Sequence, residues 1–339
     1  MQFIDLLTQK ERIKGALLRR FEDILDRGQF IMGPEVTELE AQLAAYAGTR
    51  HCVSCSSGTD ALLMPLLAKG IGVGDAVITT PFTFVATAEV INLAGATPIF
   101  VDVLPDTFNI NPELIGEAVA EAKQKGLQPK AIIPVDLFGL LADYERLNAV
   151  ANEHHLWILE DACQSFGGSF NGGKAGSFGL VGATSFFPAK PLGGDRIGIN
   201  GRLDSLHAAV LLEKLPLFDE ELATRQRIAE AHNERLDERL VVPTIPEGYR
   251  SAWAQYSVLA ATAEERDMLM QALQQEGIPS MIYYKIPLHL QKAYRSLGYN
   301  TSDFPVSEDL SRRIFSLPMH PYLKDEEIEQ ICTVLLQTK

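Results

Sequence analysis

The chain has 339 residues, 46% of them apolar, a formal net charge of −14 and four cysteines. This length accommodates one large domain and a smaller one with a sizeable core. The negative charge argues against nucleic acid or an anionic membrane as the main partner. Four cysteines are too few for a disulfide framework, and the sequence shows no secretory signal and no membrane-spanning run. We therefore expect a cytoplasmic protein.

Short apolar segments alternate with helix-like segments through the first two thirds of the chain. The predicted strands cover residues 76–79, 97–101, 131–135 and 156–159, and the predicted helices include 112–125 and 143–154. Such alternation predicts βαβ units, and near-continuous apolarity is typical of strands covered on both faces of a mostly parallel sheet. Ligands are expected at the carboxyl ends of these strands.

The pattern changes near residue 205, where a long helix-like segment begins and runs towards residue 240. Pro216 predicts a break or kink within it. The remainder indicates a smaller α+β unit that ends in an amphipathic helix over 325–336. We predict a large domain over 1–215, from which segment 1–30 is free to pack elsewhere, and a small C-terminal domain over 216–339.

Cys52 and Cys55 form a CxxC pair beside His51. Because no second pair follows at zinc spacing, the pattern is weak support for a metal or redox site. The alternative is two small residues in a buried strand. We expect no bound metal.

Lys190 follows two aromatic residues and stands between Pro188 and Pro191. Desolvation lowers the pKa of an amine, which makes the neutral form available as a nucleophile. A neutral lysine that condenses with an aldehyde forms a Schiff base, the entry to pyridoxal phosphate (PLP) chemistry. The alternative is a surface lysine on a proline-bounded loop, so the assignment depends on the rest of the pattern.

A turn of small residues over 56–60 precedes an apolar helix-like run. Free amides and the positive end of a helix dipole make such a turn a candidate phosphate site, with an ordinary helix cap as the alternative. No GxGxxG pattern follows a strand, which argues against a nicotinamide dinucleotide fold.

Two further features follow predicted strands. Glu160 and Asp161 close the strand over 156–159. A carboxylate there can pair with a protonated pyridine nitrogen and keep the ring cationic, whereas a helix cap or a solvated acid is the alternative. Phe82 and Phe84 follow the first strand and offer an aromatic face for the ring, with core packing as the alternative.

With these residues the chain resembles the DegT/DnrJ/EryC1/StrS family of PLP-dependent nucleotide-sugar aminotransferases. The resemblance extends over nearly the whole chain. It implies an α/β fold of the fold type I PLP-dependent transferases, with a mostly parallel seven-stranded sheet between helices and a smaller C-terminal α+β domain. The segments that carry it are 3–6, 28–36, 56–62, 81–88, 160–167, 184–193, 200–209, 287–291 and 317–321.

The resemblance also implies roles for single residues. Lys190 would bind the cofactor aldehyde and move a proton, Asp161 would hold the pyridine nitrogen, and Gln164 would bond near the ring oxygen. Related dehydratases have histidine at the lysine position, so Lys190 indicates transamination. The other implied cofactor contacts are Phe84 on the ring and Gly58, Thr59 and Ser185 at the phosphate.

Asn200 and Arg202 resemble a segment that reaches the neighbouring subunit's site. Asn200 would contact the phosphate and Arg202 an acidic group of the substrate, which implies a homodimer with shared active sites. The alternative for Arg202 is an ion pair with Asp204. Three further residues are candidates for sugar or nucleotide contacts or, alternatively, packed residues at the domain junction. These are Tyr283, Tyr284 and His289.

Lys190 and Asn200 are only ten positions apart. The family places about thirty more residues here, including a strand whose removal would leave neighbouring backbone groups unpaired. We therefore expect that the natural protein carries a segment near Gly193 and Gly194 that this sequence omits. A real deletion would put activity in doubt.

The overall match favours members that aminate C3 of a UDP-linked 3-keto-N-acetylglucosaminuronate for O-antigen precursors of lipopolysaccharide. Glutamate would be the amino donor and 2-oxoglutarate the product. Within the class, the alternative is C4 amination of a 4-keto-6-deoxy nucleotide-sugar. Outside it, the alternative is a degenerate protein that binds PLP without turnover, which only the missing stretch favours.

Overall fold

The structure is a computed structural model that describes residues 1–193 and 202–338. Within these ranges the helices are α1 (Leu6–Arg27), α2 (Pro34–Ala47), α3 (Gly58–Ala68), α4 (Ala86–Leu93), α5 (Ile115–Gln124), α6 (Tyr144–Glu153), α7 (Ser205–Lys214), α8 (Phe218–Leu236), α9 (Ala263–Gln275), α10 (Pro305–Arg313) and α11 (Asp325–Gln337). The strands are β1 (Asp75–Thr79), β2 (Thr97–Phe100), β3 (Gln128–Ile132), β4 (Trp157–Asp161), β5 (Ser169–Phe170), β6 (Gly173–Lys174), β7 (Val181–Ala183), β8 (Tyr249–Arg250), β9 (Tyr256–Leu259) and β10 (Ile314–Leu317).

A parallel sheet with strand order β2-β1-β3-β4-β7 forms the centre of the large domain. Strands β1 to β4 confirm the four strands predicted from the apolar segments. The expected count of seven strands is wrong for the described residues, which supply five to this sheet. One further strand was expected between Lys190 and Asn200, and residues 194–201 lie outside the described ranges.

Helices cover both faces of this sheet because alternate strand residues point to opposite sides. One set of strand residues packs with α5 and α6, and the other set packs with α3 and α4. The α/β class is thereby confirmed. The first set includes Ile78, Ile132 and Ile158, and the second includes Val77, Ala131 and Leu159.

The long helical segment breaks where Pro216 predicts it. Helix α7 ends at Lys214, a 3-10 turn covers Leu215–Leu217, and α8 begins at Phe218. Helices α8, α9 and α11 and the antiparallel pair β9 and β10 share an apolar cluster of their own. This separate cluster supports the division near residue 216, which we keep as a proposal.

Segment 1–30 packs against the helices around this break. Gln9 in α1 donates to the Glu221 carboxylate in α8 at 2.8 Å, and Arg20 pairs with Glu213 in α7 at 2.5 Å. The segment therefore bridges the two proposed domains.

The C-terminal part returns to the carboxyl ends of β1 and β2. Asp102, just after β2, accepts hydrogen bonds from the first-turn amides of Val306 and Ser307 in α10, both at 2.9 Å. The Leu288 amide donates to the Pro81 carbonyl, just after β1, at 2.8 Å. Residues of the small domain are thereby held beside the sheet edge where a ligand is expected.

The CxxC segment does not lie in a strand, so that expectation is wrong. Residues 51–55 are irregular chain between α2 and α3, and Cys52 and Cys55 are half-buried. No strand in the described part of the chain pairs with this short connection.

No helix among the described residues combines the length and the apolar composition needed to cross a bilayer.

Candidate active site

Asp161 ends β4 at the carboxyl edge of the sheet. Its carboxylate is buried and accepts hydrogen bonds from Thr87 Oγ1 at 2.8 Å and from the Cys163 amide at 3.2 Å. It therefore neither caps a helix nor is solvated. A buried carboxylate in this position is suited to a cationic partner.

Lys190 lies in a turn on the same side of the site. Its amide donates to the Phe187 carbonyl at 2.8 Å, and its side chain is not exposed. Burial lowers the pKa of the Lys190 amine, and the nearby Cys163 and Asp161 oppose that shift. The surface-loop alternative does not describe this lysine, because water covers little of its amine.

The predicted phosphate residues meet at the first turn of α3. Gly58 is the first helical residue, after Ser57, whose hydroxyl accepts from the Asp60 amide at 3.1 Å. A Cβ on Gly58 would lie 2.8 Å from both Cys163 Sγ and Ser185 Cβ. Only glycine allows this approach, which places the first-turn amides of α3 beside Ser185. Thr59 is the next residue of this turn.

Gln164 is also buried. Its Oε1 accepts from the Phe138 amide at 3.0 Å, and its Nε2 donates to the Tyr284 hydroxyl at 3.3 Å. Burial raises the pKa of Tyr284, so the hydroxyl stays protonated. Tyr283 packs edge-on against Tyr284, with ring centroids 5.8 Å apart. The structure thereby brings Tyr284 to the site.

Phe82 and Phe84 have opposite surroundings. Phe82 is fully buried and meets the ring of Tyr284 edge-on, with centroids 6.2 Å apart. Phe84 is 55% exposed. Core packing therefore describes Phe82 and not Phe84, whose exposed ring remains free to cover a ligand.

Two predicted residues have other surroundings. His289 is fully buried, its Nε2 lies 3.2 Å from Glu308 Oε1, and burial lowers its pKa. The packed-residue alternative thus describes His289 in this structure. Arg202 is exposed, and Asp204 instead caps α7 by accepting from the His207 amide at 2.9 Å.

The ion-pair alternative for Arg202 therefore finds no support among the described residues. Asn200 lies outside them.

Sequence reasoning missed the residues that support Asp161. Thr87 is the one polar residue on the buried face of α4, a signal that was available in the sequence. Cys163 contacts both Asp161 and the position of Gly58, and no local pattern indicates that contact.

A buried acid pair behind the site was also missed. Asp136 Oδ1 accepts from the Tyr144 hydroxyl at 2.8 Å and Oδ2 from the Ser165 hydroxyl at 2.7 Å, while Glu160 accepts from the Phe178 amide at 2.8 Å. The two carboxyl groups are near enough that charge on Glu160 opposes ionisation of Asp136. Burial raises the pKa of Asp136 well above its ordinary value and the pKa of Glu160 to about 7. The pair therefore holds a proton near neutral pH.

The residues around Asp161 fit PLP. The Gly58 turn has no side chain where a phosphate would approach, and the buried Asp161 carboxylate suits a cationic ring nitrogen. Phe84 offers an exposed aromatic face, and Lys190 supplies an amine of lowered pKa.

Comparison with known proteins agrees with this chemistry. The model of the DegT/DnrJ/EryC1/StrS aminotransferase family matches residues 11–195 and 192–336. The chain belongs to this family. It is therefore a nucleotide-sugar aminotransferase that uses PLP.

Three relatives cover almost all of the chain. The UDP-2-acetamido-2-deoxy-3-oxo-D-glucuronate aminotransferase of Pseudomonas aeruginosa is 39% identical and covers 99% of both chains. The UDP-N-acetyl-3-dehydro-alpha-D-glucosamine 3-aminotransferase of Acidithiobacillus ferrooxidans is 36% identical and covers 99% of this chain and 97% of its own. A crystal structure of a family aminotransferase from Brucella abortus has a TM-score of 0.94 at 48% identity, covering 99% of this chain and 98% of that one.

The match to the family model is interrupted just after Lys190, where the short spacing between Lys190 and Asn200 predicts an interruption. The two parts of the family match meet at residues 192–195, and the alignment with the Pseudomonas relative runs over 368 positions, more than the 339 residues here. Relatives therefore carry residues at this point that this sequence lacks.

Proposed function

We propose that this aminotransferase moves an amino group from glutamate to C3 of a UDP-linked 3-keto-N-acetylhexosaminuronate, for surface polysaccharide synthesis such as that of O-antigen. The observation that carries the chemistry is the desolvated Lys190 amine beside the buried Asp161 carboxylate and the Gly58 turn. The sugar rests on two relatives, both of which act on UDP-linked 3-oxo sugars.

PLP supplies an aldehyde and a ring that accepts electrons from the substrate carbon. The neutral amine of Lys190 would move a proton between the substrate carbon and the carbon of the PLP aldehyde, a task for which a lowered pKa suits a base. Asp161 stabilises positive charge on the ring nitrogen, and Gln164 bonds near the ring oxygen. The phosphate is bound by the first-turn amides of α3 at Gly58 and Thr59, together with the Ser185 hydroxyl.

Three aromatic residues of the proposal surround the space for the cofactor ring and the sugar. Phe84 covers the cofactor ring, Tyr284 approaches the site through Gln164, and Tyr283 packs beside it. The exposed guanidinium of Arg202 would bind the carboxylate of the sugar acid.

The surroundings of Arg202 support a homodimer with shared sites. The Phe30 carbonyl accepts from the Ser205 amide at 2.9 Å, so segment 30–32 runs beside residues 203–205. The three side chains of this segment, Phe30, Ile31 and Met32, are apolar and exposed. A partner subunit that covered these apolar side chains would also bury Arg202, next to the partner's own active site. Asn200 would then contact the phosphate in that site.

The test is a substrate screen with PLP and glutamate that follows release of 2-oxoglutarate. The panel contains UDP-linked 3-keto-N-acetylglucosaminuronate, the same sugar without its carboxylate, and dTDP-linked 4-keto-6-deoxyglucose. We expect the sugar acid to have the highest kcat/KM. A preference for the 4-keto sugar would replace the proposal with C4 amination. Binding of PLP without any 2-oxoglutarate would indicate a protein that holds the cofactor without turnover.

A further inference from the structure

Asn109 organises a turn over residues 137–141, about thirty positions further along the chain. Its Nδ2 donates to the carbonyls of Leu140 and Leu141, and its Oδ1 accepts from the Leu137 amide, all at 3.0 Å. Because a carbonyl only accepts and an amide N–H only donates, these three bonds allow one orientation of the buried Asn109 side chain.

The turn needs such support because its backbone is unfavourable by itself. Phe138 has a φ of 58°, a conformation that costs energy for a residue with a side chain. Gly139 has a φ of 106°, and a Cβ there would lie 2.6 Å from the Trp253 amide nitrogen. The shape of the turn is therefore set by Asn109 and by packing against the small domain.

This turn fixes which end of Gln164 faces the site. The Phe138 amide donates at 3.0 Å and cannot accept, so it must face Oε1 of Gln164. The amide nitrogen then points the other way, towards the Tyr284 hydroxyl at 3.3 Å. Gln164 consequently presents donors, not an acceptor, to the site.

We propose that Asn109 is a positioning residue that acts through the 137–141 turn to present Gln164 as a hydrogen-bond donor to the ring oxygen of PLP. This inference rests on the proposed function. The ring oxygen accepts hydrogen bonds, so a flipped Gln164 amide would place one acceptor against another. Asn109 itself touches neither cofactor nor substrate.

A double-mutant cycle tests the inference, with the dissociation constant of PLP from the apoprotein read from its visible absorption band. Asn109→Asp keeps the acceptor for Leu137 but sets a carboxylate against two carbonyls. We expect Asn109→Asp and Gln164→Ala each to weaken PLP binding by about fivefold, the value of one hydrogen bond. The double variant should bind no more weakly than Gln164→Ala. Equal weakening of PLP binding by Asn109→Asp in the wild type and in Gln164→Ala would overturn the inference. In that case the two losses of affinity would be additive, as expected if Asn109 acted independently of Gln164.

Asn148→Asp is the matched control. The Asn148 Nδ2 also donates to a backbone carbonyl, that of Tyr144 at 2.8 Å, but the residue is exposed. The same chemical change there should leave PLP affinity unaltered.

Gln164→Glu tests the donor independently of whether Asn109→Asp folds. Glutamate keeps an acceptor for the Phe138 amide and removes the donors, so at pH 8 we expect weakening at least as large as in Gln164→Ala. Wild-type affinity in Gln164→Glu would refute the donor role. Absence of a Lys190-dependent band in the wild type would instead defeat the proposed function and the inference together.

Discussion

The two sides of the proposed site differ in how completely the protomer holds them. On the Asp161–Gln164 side, buried polar groups have partners from β4, α4 and the 137–141 turn. On the Arg202 side, the chain is interrupted after Lys190 relative to its relatives, and Arg202 and segment 30–32 are exposed. A buried group without a partner destabilises the fold, whereas an exposed group can wait for a ligand or a second subunit. One side of the proposed site is therefore organised by folding alone, whereas the other is completed only when a ligand or a second subunit binds.

Replacement of Lys190 should produce the largest effect and tests the buried side. In Lys190→Ala no amine remains to bind the cofactor or move the proton, so we expect kcat to fall by at least about a thousandfold. The 2-oxoglutarate assay and the visible absorption of bound PLP measure the two losses. Lys130→Ala, an exposed lysine 3.9 Å from Asp75, is the control and should behave as wild type. Retained turnover in Lys190→Ala would mean that another group supplies the base.

Asp161→Asn tests the side organised by folding. Asparagine can still accept from the Cys163 amide and can donate to the Thr87 hydroxyl, but it carries no charge for the ring nitrogen, so we expect kcat to fall by about a hundredfold. The midpoint of thermal unfolding of the apoprotein should change little, which distinguishes lost chemistry from lost fold. Asp267→Asn, at an exposed carboxylate, serves as the control. A large drop in both activity and apoprotein stability would instead show that Asp161 mainly holds the fold.

Arg202→Ala examines recognition on the exposed side. Loss of a charge-assisted hydrogen bond should raise KM for the sugar acid by about tenfold or more and leave kcat nearly unchanged. KM for the matching sugar without a carboxylate should not move, and neither should the free energy of unfolding. Arg227→Ala, an exposed arginine 2.8 Å from Asp325, is the matched control. An equal rise in KM for both sugars would argue against recognition of the carboxylate.

The buried acid pair should make the stability of the folded side, rather than its activity, sensitive to pH. Burial raises the pKa of Glu160 from an ordinary value near 4.5 to about 7, so the folded state holds a proton that the unfolded state releases. The resulting stabilisation is complete below pH 4.5 and is lost as the pH rises through about 7, on the order of 3 kcal/mol.

Urea unfolding from pH 5 to pH 8 measures this dependence. Glu160→Gln should flatten the difference between the two ends, whatever its effect on stability at a single pH. An unchanged slope in the variant would place the titration elsewhere.

Local sequence patterns were sufficient to predict the strands β1 to β4 and the break at Pro216. They also indicated the residues that we propose for the site. Apolar runs of strand length, a proline in a helix and a lysine between aromatic and proline residues each act through neighbours in sequence. The resemblance added roles for Gln164 and Ser185, which no local pattern indicates. It also implied seven strands, and the described chain has five in the central sheet.

The failures concern contacts between distant residues. The CxxC segment has the composition of a strand but no neighbouring strand to pair with, and His289 is polar yet lies buried against Glu308. The 137–141 turn looks like an apolar continuation of β3, because the residue that shapes it, Asn109, lies in another loop.

The sequence by itself determined that this chain forms an α/β sheet, and it predicted Lys190, Asp161 and the Gly58 turn as the reactive elements. Only the tertiary structure decided that Gly58 approaches Ser185, that Thr87 supports Asp161, and that Gln164 turns its donors to the site. The physical reason is that periodicity and residue chemistry are local properties, whereas burial and hydrogen-bond partners depend on segments that meet only after folding.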